Sequence, residues 1–310
     1  MSLRHTPLSP ALGEQIEGLR LDQPFDAEVQ AALRRLLDVR SLLVFRGEEI
    51  AVEDQIRLIE LLGPVADEFE LGTYCSYLSN VDGWLEDGRL AFHSDLTYTA
   101  SPLLGLSLYA TEISGSVAPT LFASLRGGYA ALPPRLRERL AGLETIHISG
   151  RNQEDGSQLK ISPDVELSDP DDADYATIDD YPRRTWPVVL PHHRTGEPML
   201  FVSEMFGHIR GMPFEESEAL LADIYAYLCA PENIYTHEWR QNDLLLWDNR
   251  AVQHGRPSFR GSGGVRTLRR VIATEEGRST PAIYRYSGVK LPRPMLVNFP
   301  NLAGSYEVAS

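Results

Sequence analysis

Cysteine is almost absent. Cys75 and Cys229 are the only two in 310 residues, far apart and in no CxxC pattern. A disulfide framework is therefore not expected, and two thiols cannot build a tetrathiolate zinc or iron–sulfur site. Long apolar runs are missing too. The opening MSLRHTPLSPALGEQIEG carries no hydrophobic leader core, and no later stretch reaches a membrane span, so a cytoplasmic address with no membrane partner is the expectation. Positive charge is scarce. With 29 Lys and Arg against 44 Asp and Glu, the net charge of −15 excludes a general nucleic-acid surface or anionic-membrane binder. A local basic pocket for a small anionic molecule stays compatible with it.

What is present reads as a soluble globular chain, 43% hydrophobic and 24% charged. Residues 26–38, DAEVQAALRRLLD, space Val29, Leu33, Leu36 and Leu37 for a helix capped by Asp26. SLLVFRG (41–47) predicts a buried strand. VEDQIRLIELLG (52–63) predicts a second helix, with Ile56, Ile59 and Leu62 inward and Gly63 as C-cap. Beyond residue 70 short apolar strands alternate with turns: 103–111, 120–124, 186–191, 199–203, 242–248 and 266–273, with one helix near 214–229. That pattern predicts a mainly β fold with helices (α+β), a jelly-roll-like barrel with residues 1–66 as a buttress. Residues 151–184, rich in Asp, Ser and Pro, predict a long acidic surface insertion with the length of a lid.

One short stretch stands out. AFHSDLTYT (91–99) reads as strand, which would put His93 and Asp95 on one face. Two polar groups on a core face need a partner, and a metal ion is one candidate. A third ligand is offered by His254, which follows the buried strand and polar corner of LLLWDNRAVQH. Two imidazoles and one carboxylate are the ligand set of non-haem Fe(II) oxygenases, which leave open positions for co-substrate and dioxygen. The spacing alone leaves unrelated His/Asp pairs and catalytic dyads open. His192 and His193, adjacent on what reads as an exposed turn, are poorly placed to chelate one ion together.

Arg266-Thr-Leu-Arg-Arg270 adds a second signal. On a strand, Arg266, Leu268 and Arg270 share a face, with Thr267 and Arg269 on the other. A guanidinium fork matches a carboxylate, so the face suits a dicarboxylate co-substrate; solvated surface arginines are the other reading.

These segments together resemble the taurine dioxygenase family of Fe(II)/2-oxoglutarate-dependent oxygenases. The likeness runs through LLVFRGEEIAVEDQIRLIELLGPV (42–65), FHSDLTYTASPLLGLSLYATEISGSVAPTLFAS (92–124), residues 186–212 and WRQNDLLLWDNRAVQHGRPSFRGSGGVRTLRRV (239–271). It implies one oxygenase domain over 1–310 with a double-stranded β-helix core. His93, Asp95 and His254 match the iron ligands, and Thr120 and Arg266 the residues that hold 2-oxoglutarate. Arg270 falls where taurine-type members grip an acidic substrate head, which implies a small anionic substrate unless an acid of the fold claims that arginine. Arg269 competes for the role, and strand-face parity favours Arg270. Members often self-associate, so a homo-oligomer is expected. Phe92 stands where many members carry Trp, GSVAPT replaces a two-glycine loop, and residues 71–91 depart from the taurine-binding pattern. Tyr74, Tyr77, Trp84 and Phe206 are the expected pocket walls. Hydroxylation is the expected outcome. The rival readings are a zinc or manganese hydrolase on the same ligands and a non-catalytic barrel binding protein.

Overall fold

The computed structural model describes residues 3–81, 88–148, 183–204, 207–258, 260, 263–280 and 282. Two antiparallel sheets face each other across the core. The larger has seven strands in the order Arg4–Pro7, Glu14–Glu17, Leu42–Phe45, Leu244–Asp248, Gly105–Ser114, Val265–Ala273 and Ser76–Ser79. Among the described residues, only the Glu14–Glu17 and Leu42–Phe45 pair is parallel. The smaller sheet orders Ile234–His237, Thr120–Ser124, Val252–Arg256 and Leu90–His93.

Strand alternation decides what lies between the sheets. From the larger sheet Leu106, Leu108, Ala110, Leu268 and Ile272 point inward, and from the smaller Phe122 meets Trp247 edge-on at 5.3 Å. The opposite face of the larger sheet carries Tyr109, Val271 and Ala273 under the first two helices. This is the two-sheet jelly-roll arrangement with helical buttresses that the strand pattern predicts. Sheets of three strands (Gly207–Ile209, Glu144–Ile148, Arg183–Pro187) and of two (Val189–Pro191, Pro198–Leu200) flank it.

The helix Ala27–Arg40 begins where Asp26 accepts the Val29 N–H at 2.8 Å and buries Leu33 and Leu37. The next, Val52–Ile59, stops three residues short of the expected cap at Gly63. Leu61 and Leu62 turn back on Leu58 and Ile59, and Gly63 lies so close to Leu104 that a Cβ would approach its Cδ1 to 2.5 Å. The glycine serves packing, not a cap. The later helix is Phe214–Leu228, with Leu220, Leu221, Ile224 and Leu228 buried as expected.

The predicted strand over 186–191 splits at Val188, which leaves the ladder and is fully buried. The acidic insertion, apart from Arg183 and Arg184, lies outside the described residues. Among the described residues, no helix is long and apolar enough to cross a membrane.

Candidate active site

The smaller sheet brings the two histidines together. His254 of Val252–Arg256 is the direct cross-strand partner of His93 on Leu90–His93, with ring centroids 4.3 Å apart. Opposed residues on an antiparallel pair share a face, so both rings look toward the larger sheet. On the other side of the His254 strand its partner is Phe122, two residues from Thr120 on the same face.

Asp95 joins them by a different route from the one its spacing predicts. The strand ends at His93, and residues 95–98 form a turn, with Leu96 in the left-handed region at φ 58°. Asp95 therefore does not owe its direction to strand alternation. Asn249, from the polar corner after Leu244–Asp248, fixes it instead. Its Oδ1 accepts the Asp95 N–H at 2.9 Å, and its Nδ2 donates to the Asp95 carbonyl at 3.0 Å and the Leu103 carbonyl at 3.1 Å. Ser94 Oγ donates to the Val252 carbonyl at 3.1 Å, tying the turn to the His254 strand. Sequence reasoning singles out the DNR corner but not this clamp.

Asp95 Oδ1 lies 3.2 Å from His93 Nε2 and 3.9 Å from His254 Nε2. One ligand atom from each residue falls within 4.8 Å of the other two. His93 Nδ1 donates to the Ala91 carbonyl at 2.8 Å. With Nδ1 so engaged, His93 presents Nε2 to the carboxylate. A shared cation would join these two ligand atoms. Burial, with the neighbouring His93, lowers His254 to about 3, so its ring is neutral and a competent donor. Burial alone would raise the Asp95 carboxyl; the two imidazoles and the Arg270 guanidinium beside it outweigh burial and hold it below the usual carboxylate range. Two imidazole nitrogens with an ionised carboxylate fit a divalent cation of the iron type.

The arginine strand Val265–Ala273 crosses this site from the opposite sheet. Its pairing with Gly105–Ser114 slips between Thr267 and Leu268, yet the expected faces hold. Arg269 turns away, donating to Gln55 Oε1 at 2.7 Å and to the Ile50 and Ala51 carbonyls. Arg270 turns inward, its Nη1 3.5 Å from Asp95 Oδ2 and its Nη2 in close contact with Glu68 Oε1. Arg266 is buried and donates to the Ala118 carbonyl at 3.0 Å; among the described residues no carboxylate lies within ion-pair distance of it. Burial, and then the Arg256 guanidinium, lower it to about 10. Thr120, two residues beyond Ala118, is buried, and its Oγ1 accepts from Trp239 Nε1 at 3.0 Å. That leaves the hydroxyl proton free to donate elsewhere.

Of the expected pocket walls, two are half-exposed and two are not described. Tyr74 and Tyr77 are 48% and 50% exposed, and Trp84 and Phe206 lie outside the described residues. His192 is not on an exposed turn. Its side chain is fully buried, with Nε2 3.0 Å from Asp248 Oδ2, because the 192–197 turn folds the ring back onto the strand end. His192, His193 and Asp248 also cluster closely enough for a metal. Arg194, however, grips the same Asp248 oxygen, and its fixed positive charge opposes a second cation.

Comparisons with known proteins agree with this geometry. The model of the "Taurine catabolism dioxygenase TauD, TfdA family" matches residues 4–272. An (S)-phenoxypropionate/alpha-ketoglutarate-dioxygenase of Sphingobium herbicidovorans is 30% identical over 266 residues, covering 80% of this chain and 87% of the relative. An alpha-ketoglutarate-dependent 2,4-dichlorophenoxyacetate dioxygenase of Cupriavidus pinatubonensis is 27% identical over 275 residues, covering 82% and 92%. The crystal structure of a taurine dioxygenase from Burkholderia xenovorans shares the fold, with a TM-score of 0.70 at 23% identity over 90% of this chain and 93% of that one. Two facing sheets, a buried His/Asp/His cluster between them and a match over most of its length make this chain a member of the TauD/TfdA dioxygenase family.

Proposed function

We propose that the chain is an Fe(II)/2-oxoglutarate-dependent oxygenase acting on a small organic molecule. His93, Asp95 and His254 would hold the metal. Iron bound with 2-oxoglutarate supplies oxidative decarboxylation of the keto acid to succinate and carbon dioxide, coupled to oxidation of a substrate C–H bond. The protein's own contribution is binding and orientation. Arg266 would receive the far carboxylate of 2-oxoglutarate, and Thr120 would donate its free hydroxyl proton to the same group. Trp239 is the positioning residue that turns the Thr120 oxygen.

The observation that carries the reading is Arg266. A guanidinium buried without a carboxylate is costly unless an anion arrives to meet it. A zinc or manganese hydrolase on the same ligands has no use for such an anion, and a purely structural cluster has none either. The relatives' oxidation of aryloxy acids supports the same reaction class. Two free cysteines are in keeping with a reducing, cytoplasmic compartment.

The test is succinate release from 2-oxoglutarate, with Fe(II) and oxygen, over a panel of small acids, amides, ethers and alcohols. Iron- and oxygen-dependent succinate from the wild type, lost in Asp95→Ala, is expected. Turnover that ignores 2-oxoglutarate, or that zinc supports, would defeat the proposal.

A further inference from the structure

Arg270 stands beside the metal-ligand cluster, but the fold already claims it. Its partner Glu68 is 3% exposed and is fixed from three sides. Oε1 takes Arg270 Nη2, Oε2 accepts the Ser76 hydroxyl at 2.6 Å, and the Glu68 carbonyl accepts the Thr280 N–H at 2.9 Å. Ser76 is itself the cross-strand partner of Arg270, so acid, hydroxyl and guanidinium are set by one ladder. Arg269, the next cation along the strand, faces the other side of the sheet and cannot take over Glu68.

The charges then decide what this end of the site accepts. Two carboxylates, Glu68 and Asp95, lie against one guanidinium. With a metal bound the ion takes up the Asp95 charge, but Glu68 still occupies the guanidinium, and a substrate carboxylate or sulfonate would be a second anion competing for it. To use Arg270 fully it would have to displace Glu68, leaving a buried acid unpaired. An uncharged polar group meets no such penalty. Arg270 Nε, buried and without a hydrogen-bond partner among the described residues, suits a neutral oxygen such as an amide, ester, ether or hydroxyl.

We propose that Glu68 is a specificity-determining residue: by closing Arg270 it makes the pocket beside Asp95 select a substrate that is uncharged at that end and exclude anionic heads. The inference rests on the oxygenase reading above. The class of substrate expected is a small neutral molecule, or one whose charge lies away from the Arg270–Glu68 pair.

Calorimetric titration of the anaerobic protein loaded with Fe(II) and 2-oxoglutarate tests it, with methanesulfonate and phenoxyacetate as probes. The wild type should show no saturable binding of either in the millimolar range. Glu68→Gln should bind at least one of them tenfold or more tightly, and adding Arg270→Met should abolish the gain. If Glu68→Gln fails to fold, Ser76→Ala, which loosens the acid without removing it, should show a smaller gain of the same sign. Wild-type binding as tight as the variant's, or no gain in any folded variant, would overturn the assignment. The visible band of the iron–keto acid complex, recorded on the same samples, separates the two failures. Its absence defeats the oxygenase reading, whereas its presence with tight wild-type anion binding defeats only the role of Glu68.

Discussion

Asn249→Ala is the perturbation whose effect the structure sets most fully. The side chain is completely buried and makes three hydrogen bonds, two to the backbone of Asp95 and one to Leu103. Alanine leaves one N–H and two carbonyls to find other partners. A buried group left unsatisfied costs about 1–3 kcal/mol, so a total of about 3–9 kcal/mol is expected if no water replaces the amide. The turn carrying Asp95 then loses its anchor, with Leu96 still in the left-handed region. Groups that orient a metal ligand are typically worth roughly 10–100-fold in affinity. Asn249→Asp keeps the acceptor for the Asp95 N–H but sets a buried carboxylate against two carbonyl oxygens, so it should destabilise at least as much as alanine. Urea unfolding gives the first quantity, and anaerobic Fe(II) titration of the folded variants gives the second. A folded Asn249→Ala that binds iron as the wild type does would refute the claim that this amide aims Asp95.

Arg266→Ala should raise the 2-oxoglutarate concentration needed for half-maximal succinate release at least tenfold. A charge-assisted hydrogen bond is worth about 1.5–3 kcal/mol, and an unchanged requirement would place the clamp elsewhere. His147 offers a test by pH. Burial lowers it to about 3, while in the unfolded chain it titrates near 6.5. The unfolded state therefore binds the extra proton, and its contribution to stability is lost as pH falls from about 6.5 toward 3, at about 1.4 kcal/mol per pH unit. His147→Phe should keep the stack on Phe201, 5.5 Å away, and make unfolding free energy fall less steeply between pH 6 and 4. An acid limb as steep as the wild type's would show that another group controls it.

The sequence exposes what repeats or alternates. Hydrophobic runs locate Leu42–Phe45, Gly105–Ser114, Thr120–Ser124, Leu244–Asp248 and Val265–Ala273 to within a few residues, but not the more polar strands Arg4–Pro7, Glu14–Glu17, Ser76–Ser79, Ile234–His237 and Val252–Arg256; alternation along Val265–Ala273 separates Arg270 from Arg269 despite the slip at Thr267. His254 and His93 are legible as candidates because each ends or follows an apolar run. Asp95 is legible for the wrong reason, since a two-residue spacing looks the same in a strand and at a strand end followed by a turn. The partners that aim or neutralise the site are long-range and leave no periodic trace. Asn249 meets Asp95 across 154 residues, Trp239 meets Thr120 across 119, and Glu68 meets Arg270 across 202. His192 misleads because a turn sequence reads as exposed, whereas its ring is the hydrogen-bond partner of a buried Asp248. Which acid closes on which arginine depends on the three-dimensional fold.

The most direct test of the metal-centre assignment is anaerobic titration of the wild-type protein with Fe(II) in saturating 2-oxoglutarate, followed by visible absorption. A weak charge-transfer band that saturates at one iron per chain, and that is lost in both Asp95→Ala and His254→Ala, is predicted. Iron that binds without the band, or a band that survives both substitutions, would contradict it.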